Sequence, residues 1–450
     1  MPSHNKTLAL GLDGVSFTLL ERYINDGHLP EFKKIRQQGH SLTQMDASIP
    51  DVSSTSWTSF MTGSNPGEHG IFGFVDLLPN SYEIFFPNFT NITAPTVWEI
   101  MENGSSGKTS LLSGNYKNKF TRDIRSIILN IPQTYPAQKL NGLMTAGFVC
   151  PDLKTGTFPQ SLYNYLISIG YIPDVDATKA VSAPEEFFSE LFLALDKRLL
   201  AYEHLMENES WDLFMGGITE TDRLHHFFYD AAFDANHPRH ETFVKFYKKL
   251  DTIVGRLFNK FMDQTQGKGL FITVSDHGFT ESKKEVYLNA WLKKQGFLKL
   301  NPGKSFYEQI ETPSQAFAMD PGRLYINEQG KFPRGSVNAS GKDLLLKELE
   351  DGLSQLKDDD GIPIIRSVYK KEDLYSGQSS SKGPDLVCLA NDGYDLKGYI
   401  QKEALMGKGP MTGMHTSYDA HCILPSRLYQ DRLHIEDVAS LILDHIASEN

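Results

Sequence analysis

Three aspartates share one kind of address in this chain. Asp13 follows the apolar run TLALGL at 7–12, Asp222 follows LFMGGIT at 213–219, and Asp276 follows GLFITV at 269–274. In an open α/β sheet, ligands bind outside the carboxyl ends of the strands. Three carboxylates gathered there repel one another unless cations neutralise them. A lone Asp after a strand is ordinarily a turn or a helix cap, but these have histidine companions. His226 lies four residues after Asp222, so on a helical turn both reach toward one cation. His277 adjoins Asp276, and His415 stands in GMHTSYDAH before the apolar run at 422–424. Mixed Asp and His ligands suit zinc, with manganese or iron as the alternatives.

A second group offers hydroxyls. Ser53, Ser54, Thr55 and Ser56 precede Trp57, Phe60 and Met61, and Thr62-Gly63, Asn65-Pro66-Gly67 and His69-Gly70 follow. Ser and Thr before an apolar-periodic segment are helix-start residues, whose oxygens accept from the unpaired first N–H groups. That is the ordinary role of such a stretch. A helix start is also where free N–H groups stabilise a phosphate or an activated alkoxide. The metal-ligand pattern elsewhere makes this stretch a candidate for the chemistry.

The elements that must position these residues read as a parallel sheet covered on both faces, because short apolar β-type runs alternate with helical patterns. The runs lie at 7–12, 108–112, 126–131, 142–147, 213–219 and 269–274, with weaker ones at 323–326, 385–389 and 422–424. Helical periodicity is clear after Pro184 (Phe188, Leu191, Phe192, Leu195, Leu199, Tyr202, Leu205) and again through Phe243, Phe246, Leu250, Ile253, Leu257 and Phe261. Residues 296–410 differ in texture, being rich in Gly, Ser and Lys with a charged helix near 342–357, and read as a subdomain inserted between two parts of the sheet domain.

Composition narrows the class. The 450 residues are 40% hydrophobic and 22% charged, ample for a large core. No run approaches the roughly 18 apolar residues of a membrane span. The start, MPSHNKTLALGLDG, has neither the basic opening nor the long apolar core of a signal peptide. Cys150, Cys388 and Cys422, odd in number and far apart, argue against a disulfide framework or a zinc finger. The expectation is a soluble cytoplasmic protein of a reducing compartment, with no membrane partner and an unspecified oligomeric state. A net charge of −12 argues against a nucleic-acid duplex as partner.

Taken in order, GLDG at 11–14, the hydroxyls with TG and NPGEHGI at 65–71, NIPQTYPAQKLNG at 130–142, TDxxxH at 221–226, SDHGF at 275–279, RLYIN, GPDLV and the late GMH resemble the alkaline phosphatase superfamily. The nearest branch is the type I phosphodiesterase/nucleotide pyrophosphatase family in its bacterial form. The resemblance implies an alkaline-phosphatase-like α/β fold, with a mostly parallel sheet, helices on both faces and an inserted lid. It places the catalytic core at 1–295 and 411–450 and the lid at 296–410. It implies two divalent metal ions, Zn2+ first. Asp13, Ser53, Asp276 and His277 would surround one; Asp222, His226 and His415 would surround the other. The family's nucleophile lies ten residues before the glycine of the TG pair, which selects Ser53, with Ser54 and Thr55 as alternatives. Relatives often carry proline or Phe-Pro-Asn after the nucleophile, where this chain has Ser54-Thr55-Ser56. His69 belongs to a structural turn and His225 points to another face of its helix.

The implied activity is cleavage of a phosphodiester or nucleotide pyrophosphate bond in a small phosphorylated substrate, through phospho-Ser53. The rivals are a phosphomonoesterase, a phosphonate-ester hydrolase and a metal-binding pseudoenzyme. A sulfatase is discounted because Ser53 lacks the following Pro and Arg, and a phosphoglycerate mutase because no phosphate-relay insertion is present. Sites for dianionic monoesters usually add an arginine or a third cation. Met45–Gly70 contains no Lys or Arg, which favours the diester, and Trp57, Phe72 and Phe74 offer apolar surface for its second substituent.

Overall fold

The computed structural model describes residues 5–102 and 106–448. Nine strands form the central sheet, in the order Arg432–His434, His40–Asp46, Ala420–Pro425, Leu270–Val274, Thr7–Leu12, Leu213–Ile218, Ser126–Ile131, Gly142–Ala146 and Thr157–Phe158. The five from Leu270–Val274 to Gly142–Ala146 run parallel. Ala420–Pro425 is antiparallel to both of its neighbours, as Thr157–Phe158 is to Gly142–Ala146.

Successive side chains of a strand point to opposite faces, so a continuous apolar run requires cover on both. Leu8, Leu10 and Leu12 pack into one hydrophobic cluster with the helices Pro184–Asn208 and His240–Thr265. Ala9 packs into another with Ser53–Thr62 and Asp437–Ala447. The same alternation divides Ile127 and Leu129 from Ile128, and Phe214 from Leu213 and Met215. Every residue of these strands is buried.

The run at 108–112 is not a strand. Ser110 caps the short helix Leu111–Asn115 through a reciprocal bond with Ser113, and Leu111 is 82% exposed. The apolar pair there was too brief to distinguish a strand from a capped turn. The weaker runs at 323–326 and 385–389 join a four-stranded antiparallel sheet with Ala316–Met319 and Ile365–Lys370, whereas 422–424 lies in the central sheet. The four-stranded sheet shares a hydrophobic cluster with helix Ala339–Ser354, and that cluster takes in Tyr82 and Val286. Among the described residues, no helix is long and apolar enough to cross a membrane.

Candidate metal and nucleophile site

The strands carrying the aspartates are neighbours in register. Leu12 lies opposite Ile218, and Gly11 opposite Val274, so the chain leaves all three strands at one edge. Asp13 is fixed there by its N–H to Ile218 O at 3.0 Å, and Gly14 follows with φ +67°. A side chain at Gly14 would also meet the Phe279 ring at 2.7 Å, so glycine is required twice over. The freed Gly14 N–H donates to Asp276 Oδ1 at 3.0 Å and ties the first aspartate's loop to the third. Asp222 sits in the first turn of helix Glu220–Phe228, anchored where Thr221 Oγ1 donates to Asp13 O at 2.6 Å. His415 is delivered by a separate antiparallel pair, Gly278–Glu281 with Gly413–Thr416, in which Phe279 faces His415.

All seven expected side chains converge. Ser53 is the first residue of helix Ser53–Thr62, with Val52 as N-cap. Its Oγ lies 3.1 Å from His277 Nε2 and 3.4 Å from Asp13 Oδ1. His277 Nδ1 is 3.0 Å from Gly278 O, a contact that needs the proton on Nδ1 and turns the Nε2 lone pair inward. That Nε2 lies 3.2 Å from Asp276 Oδ2, 3.7 Å from Asp13 Oδ1 and 3.9 Å from Asp222 Oδ1. On the other side, Asp222 Oδ1 is 3.3 Å from His226 Nε2 and 3.4 Å from His415 Nε2, and the two imidazole nitrogens are 3.1 Å apart. His415 Nδ1 donates to the Asp51 carbonyl at 2.8 Å, which turns its other nitrogen to the site. Ligand-type atoms of Asp13, Asp276 and His277 lie within 4.8 Å of one another, and so do those of Asp222, His277 and His415. His277 therefore stands between two candidate positions.

The donor set fits two cations. Asp222 Oδ1 and Asp276 Oδ2 are buried and accept no hydrogen bond within the protein, a costly state for a carboxylate oxygen. Burial pushes the Asp13 carboxyl well above its usual range, and the charges of Asp276 and Asp222 push it further. Burial likewise raises Asp276, to about 6. Burial would raise Asp222 too, but the facing His226 and His415 hold it well below the carboxylate range. Burial, then the neighbouring His415, keeps His277 neutral. Carboxylates that cannot all ionise together, beside the neutral His277 imidazole with its Nε2 lone pair turned inward, are an unsatisfied cation site.

Two other histidines stay out of the cluster. His225 is wholly buried between Gly14 O at 3.0 Å and the Tyr247 hydroxyl at 2.6 Å, and burial pushes its pKa down to about 3. His69 is held by Ser59 Oγ at 3.0 Å and accepts from Ile71 N at 3.1 Å, fixing the turn.

Of the three aromatics expected to offer apolar surface, only Phe74 does so. Trp57 is fully buried, donating from Nε1 to Asp13 Oδ2 at 3.0 Å. Phe72 is fully buried against Tyr375. Trp57 lies on the inner face of its helix and Phe72 in the irregular chain after Pro66–His69, and the stretch alone does not show what either meets. Phe74 lines a pocket of about 60 Å³ around Ser53, together with Asp13, Phe148, Thr219, Asp222, Arg223, His226 and His415. A groove of about 250 Å³ shares Phe74, His226 and His415 with it and adds Asp51, Arg366 and Tyr418. Arg366, from strand Ile365–Lys370, lies over the Tyr418 ring at 4.3 Å. No local pattern marked it in the sequence.

A family model described as type I phosphodiesterase / nucleotide pyrophosphatase matches residues 7–419. No curated protein matches the chain in sequence. Among solved structures, phosphonoacetate hydrolase from Sinorhizobium meliloti 1021 in complex with phosphonoformate superposes with a TM-score of 0.63 at 14% identity, over 98% of this chain and 95% of that one. Murine ectonucleotide pyrophosphatase/phosphodiesterase 5 in complex with AMP gives 0.54 at 13% identity, over 98% and 95%. The alkaline phosphatase PafA gives 0.55 at 14%, over 99% and 96%. At such identities the likeness shows a shared fold, the alkaline-phosphatase-like α/β architecture.

Proposed function

Since the chain belongs to the type I phosphodiesterase / nucleotide pyrophosphatase family, a group of metal-dependent phosphoester hydrolases, we propose that it cleaves a phosphodiester or pyrophosphate bond with Ser53 as nucleophile. The observation that carries the diester reading is the state of Arg223. It is the only Lys or Arg lining the Ser53 pocket among the described residues. Asp174 engages it from two sides, with Nε at 3.1 Å and Nη2 at 2.8 Å, and its guanidinium lies over the Phe148 ring at 4.0 Å. A cation so committed has little left to offer the extra charge of a monoester dianion. One negative charge and a second substituent suit the pocket better.

Asp13, Ser53, Asp276 and His277 would hold one divalent cation, and Asp222, His226 and His415 the other, with zinc the first expectation from the ligand types. Such a pair supplies charge neutralisation, a lowered hydroxyl pKa and a counter-charge for the departing oxygen. The residues do the rest. Helix Ser53–Thr62 aims the Ser53 hydroxyl at phosphorus and presents its unpaired first N–H groups to the phosphoryl oxygens. Ser53 displaces the leaving group on the His226 and His415 side, toward the groove that holds Arg366. Water then cleaves phospho-Ser53 and restores the hydroxyl. Segments 1–295 and 411–450 act as the catalytic core and 296–410 as the cap, which contributes Asp320, Arg366 and Asp395 to the groove wall.

The test compares kcat/KM for bis-p-nitrophenyl phosphate, and for the p-nitrophenyl ester of thymidine 5′-monophosphate, with that for p-nitrophenyl phosphate. A preference for the diesters is expected. A clear preference for the monoester would replace this reading with a phosphomonoesterase.

A further inference from the structure

A further cavity adjoins Phe74 and shares Val52, Asp320 and Pro321 with the groove. Its volume is about 340 Å³, within the ~300–1,000 Å³ of small-molecule sites. Val75, Ile84, Phe306, Met319 and Ile400 give it an apolar wall. It shares Phe74 with the Ser53 pocket, and its lining includes Val52, the residue immediately before the nucleophile. At its edge Phe306 is 62% and Tyr399 44% exposed, large apolar surfaces left in solvent beside a void.

Of the four polar side chains in this wall, Arg323, Tyr307 and Asp320 are already engaged, and the fourth, Tyr399, stands at the exposed rim. Arg323, 1% exposed, donates to Asp320 O and Val75 O at 2.7 Å each and to the Tyr325 hydroxyl at 3.3 Å. The Tyr307 hydroxyl donates to Ala318 O at 3.0 Å, and the Asp320 carboxylate accepts from Gly398 N. A nucleobase edge needs several donors and acceptors in fixed places, and a pocket whose inner polar groups are engaged matches it poorly, because polar groups left unpaired on burial are costly. A hydrocarbon chain makes no such demand.

We infer that this cavity takes an apolar ester group, an alkyl or acyl chain, so that the substrate is an amphiphilic phosphodiester with its phosphorus at Ser53 and its chain beside Phe74. The inference rests on the diesterase reading and adds the identity of one substituent. Burial of each methylene strengthens binding by a constant factor of roughly fourfold until the cavity is full.

The experiment measures kcat/KM for alkyl p-nitrophenyl phosphates from methyl to octyl, with thymidine 5′-p-nitrophenyl phosphate alongside. The expected result is a rise of roughly fourfold per methylene over the first members, with the octyl ester above the thymidine ester. Ile84→Trp, which fills the cavity, collapses the octyl-to-methyl ratio. Phe306→Ala, at an exposed position that carries little folding risk, lowers it for the longest chains. A flat series, a slope that survives Ile84→Trp, or a thymidine ester above the octyl ester overturns the inference while leaving the diesterase reading standing. Turnover of p-nitrophenyl phosphate with none of any diester overturns both.

Discussion

Replacing Trp57 by Phe separates two roles that the sequence leaves open for this ring. The indole is fully buried and meets Phe60 edge-on at 5.5 Å. It fills the space beside Gly11, where an added Cβ would come within 2.4 Å of it. Its Nε1 donates to Asp13 Oδ2 at 3.0 Å, and Asp13 is a proposed metal ligand. A hydrogen bond to a charged group contributes about 1.5–3 kcal/mol. Removing it leaves a buried carboxylate oxygen without a donor and frees the ligand to turn. Losing the orienting partner of a metal ligand costs roughly 10–100-fold in affinity, the range that energy implies. Trp57→Phe keeps most of the packing under Gly11, so the expected outcome is selective. Metal affinity, measured by competition with a chromogenic chelator, falls by roughly 10–100-fold. At saturating metal KM stays near the wild-type value, and urea unfolding of the metal-free protein shows a loss of about 1–3 kcal/mol. An unchanged metal affinity with a raised KM would refute the reasoning and make the ring a substrate contact.

Other outcomes follow from the same geometry. Ser53→Ala abolishes turnover and leaves metal content largely intact by elemental analysis, since six other ligands remain; near-normal kcat with loss in Ser54→Ala or Thr55→Ala would move the nucleophile to a neighbour. Purified protein carries two divalent ions per chain and loses activity in EDTA, and full activity without metal would remove the proposed chemistry. Arg198 and Glu220 form a fully buried pair at 3.0 Å under the helix that carries Asp222. Arg198→Met strands the Glu220 charge and costs about 3–5 kcal/mol in denaturant unfolding, whereas adding Glu220→Leu recovers most of it. Burial raises the Asp419 carboxyl to about 6 although Thr18 donates to it at 2.9 Å. A folded pKa above the unfolded value gives stability that is present at acid pH and lost as pH rises through it, here between about pH 4 and 6. Asp419→Asn therefore flattens the fall in unfolding free energy across that window, and an unaltered slope would reject the assignment.

The candidate ligands were legible because chemistry and topology coincide in sequence. Each of the five strands of the parallel core is a compact apolar run, and three of them, Thr7–Leu12, Leu213–Ile218 and Leu270–Val274, are followed within a few positions by an aspartate. Register then does what no local pattern states: Leu12 opposite Ile218 and Gly11 opposite Val274 bring three distant turns to one edge. What stayed hidden depends on direction. The His40–Asp46 strand sits near the sheet's edge, and its mixture of Ser, Thr and Gln among apolar residues hides the run. Arg366 has an ordinary local context and reaches the groove only because its strand lies in the second sheet. The Asp51 carbonyl that orients His415 is main chain, and residue types carry no signal of it.

Trp57 shows the limit most sharply. An indole three residues before Phe60 reads equally as core or as a stacking surface, since helical spacing gives the period of a face and not what that face meets. The deciding fact is Gly11, in another segment, whose missing side chain makes room for the ring and so sets its Nε1 against Asp13. A glycine in the first strand and a tryptophan in helix Ser53–Thr62 form one device that holds the Oδ2 of Asp13. Gly11→Ala should then act at a distance from any ligand atom. Its methyl displaces the indole, breaks the bond to Asp13 and lowers metal affinity as Trp57→Phe does. The double variant should be no worse than the more damaging single one, because both remove the same contact. Additive losses in the double variant would mean that Gly11 and Trp57 serve separate ends.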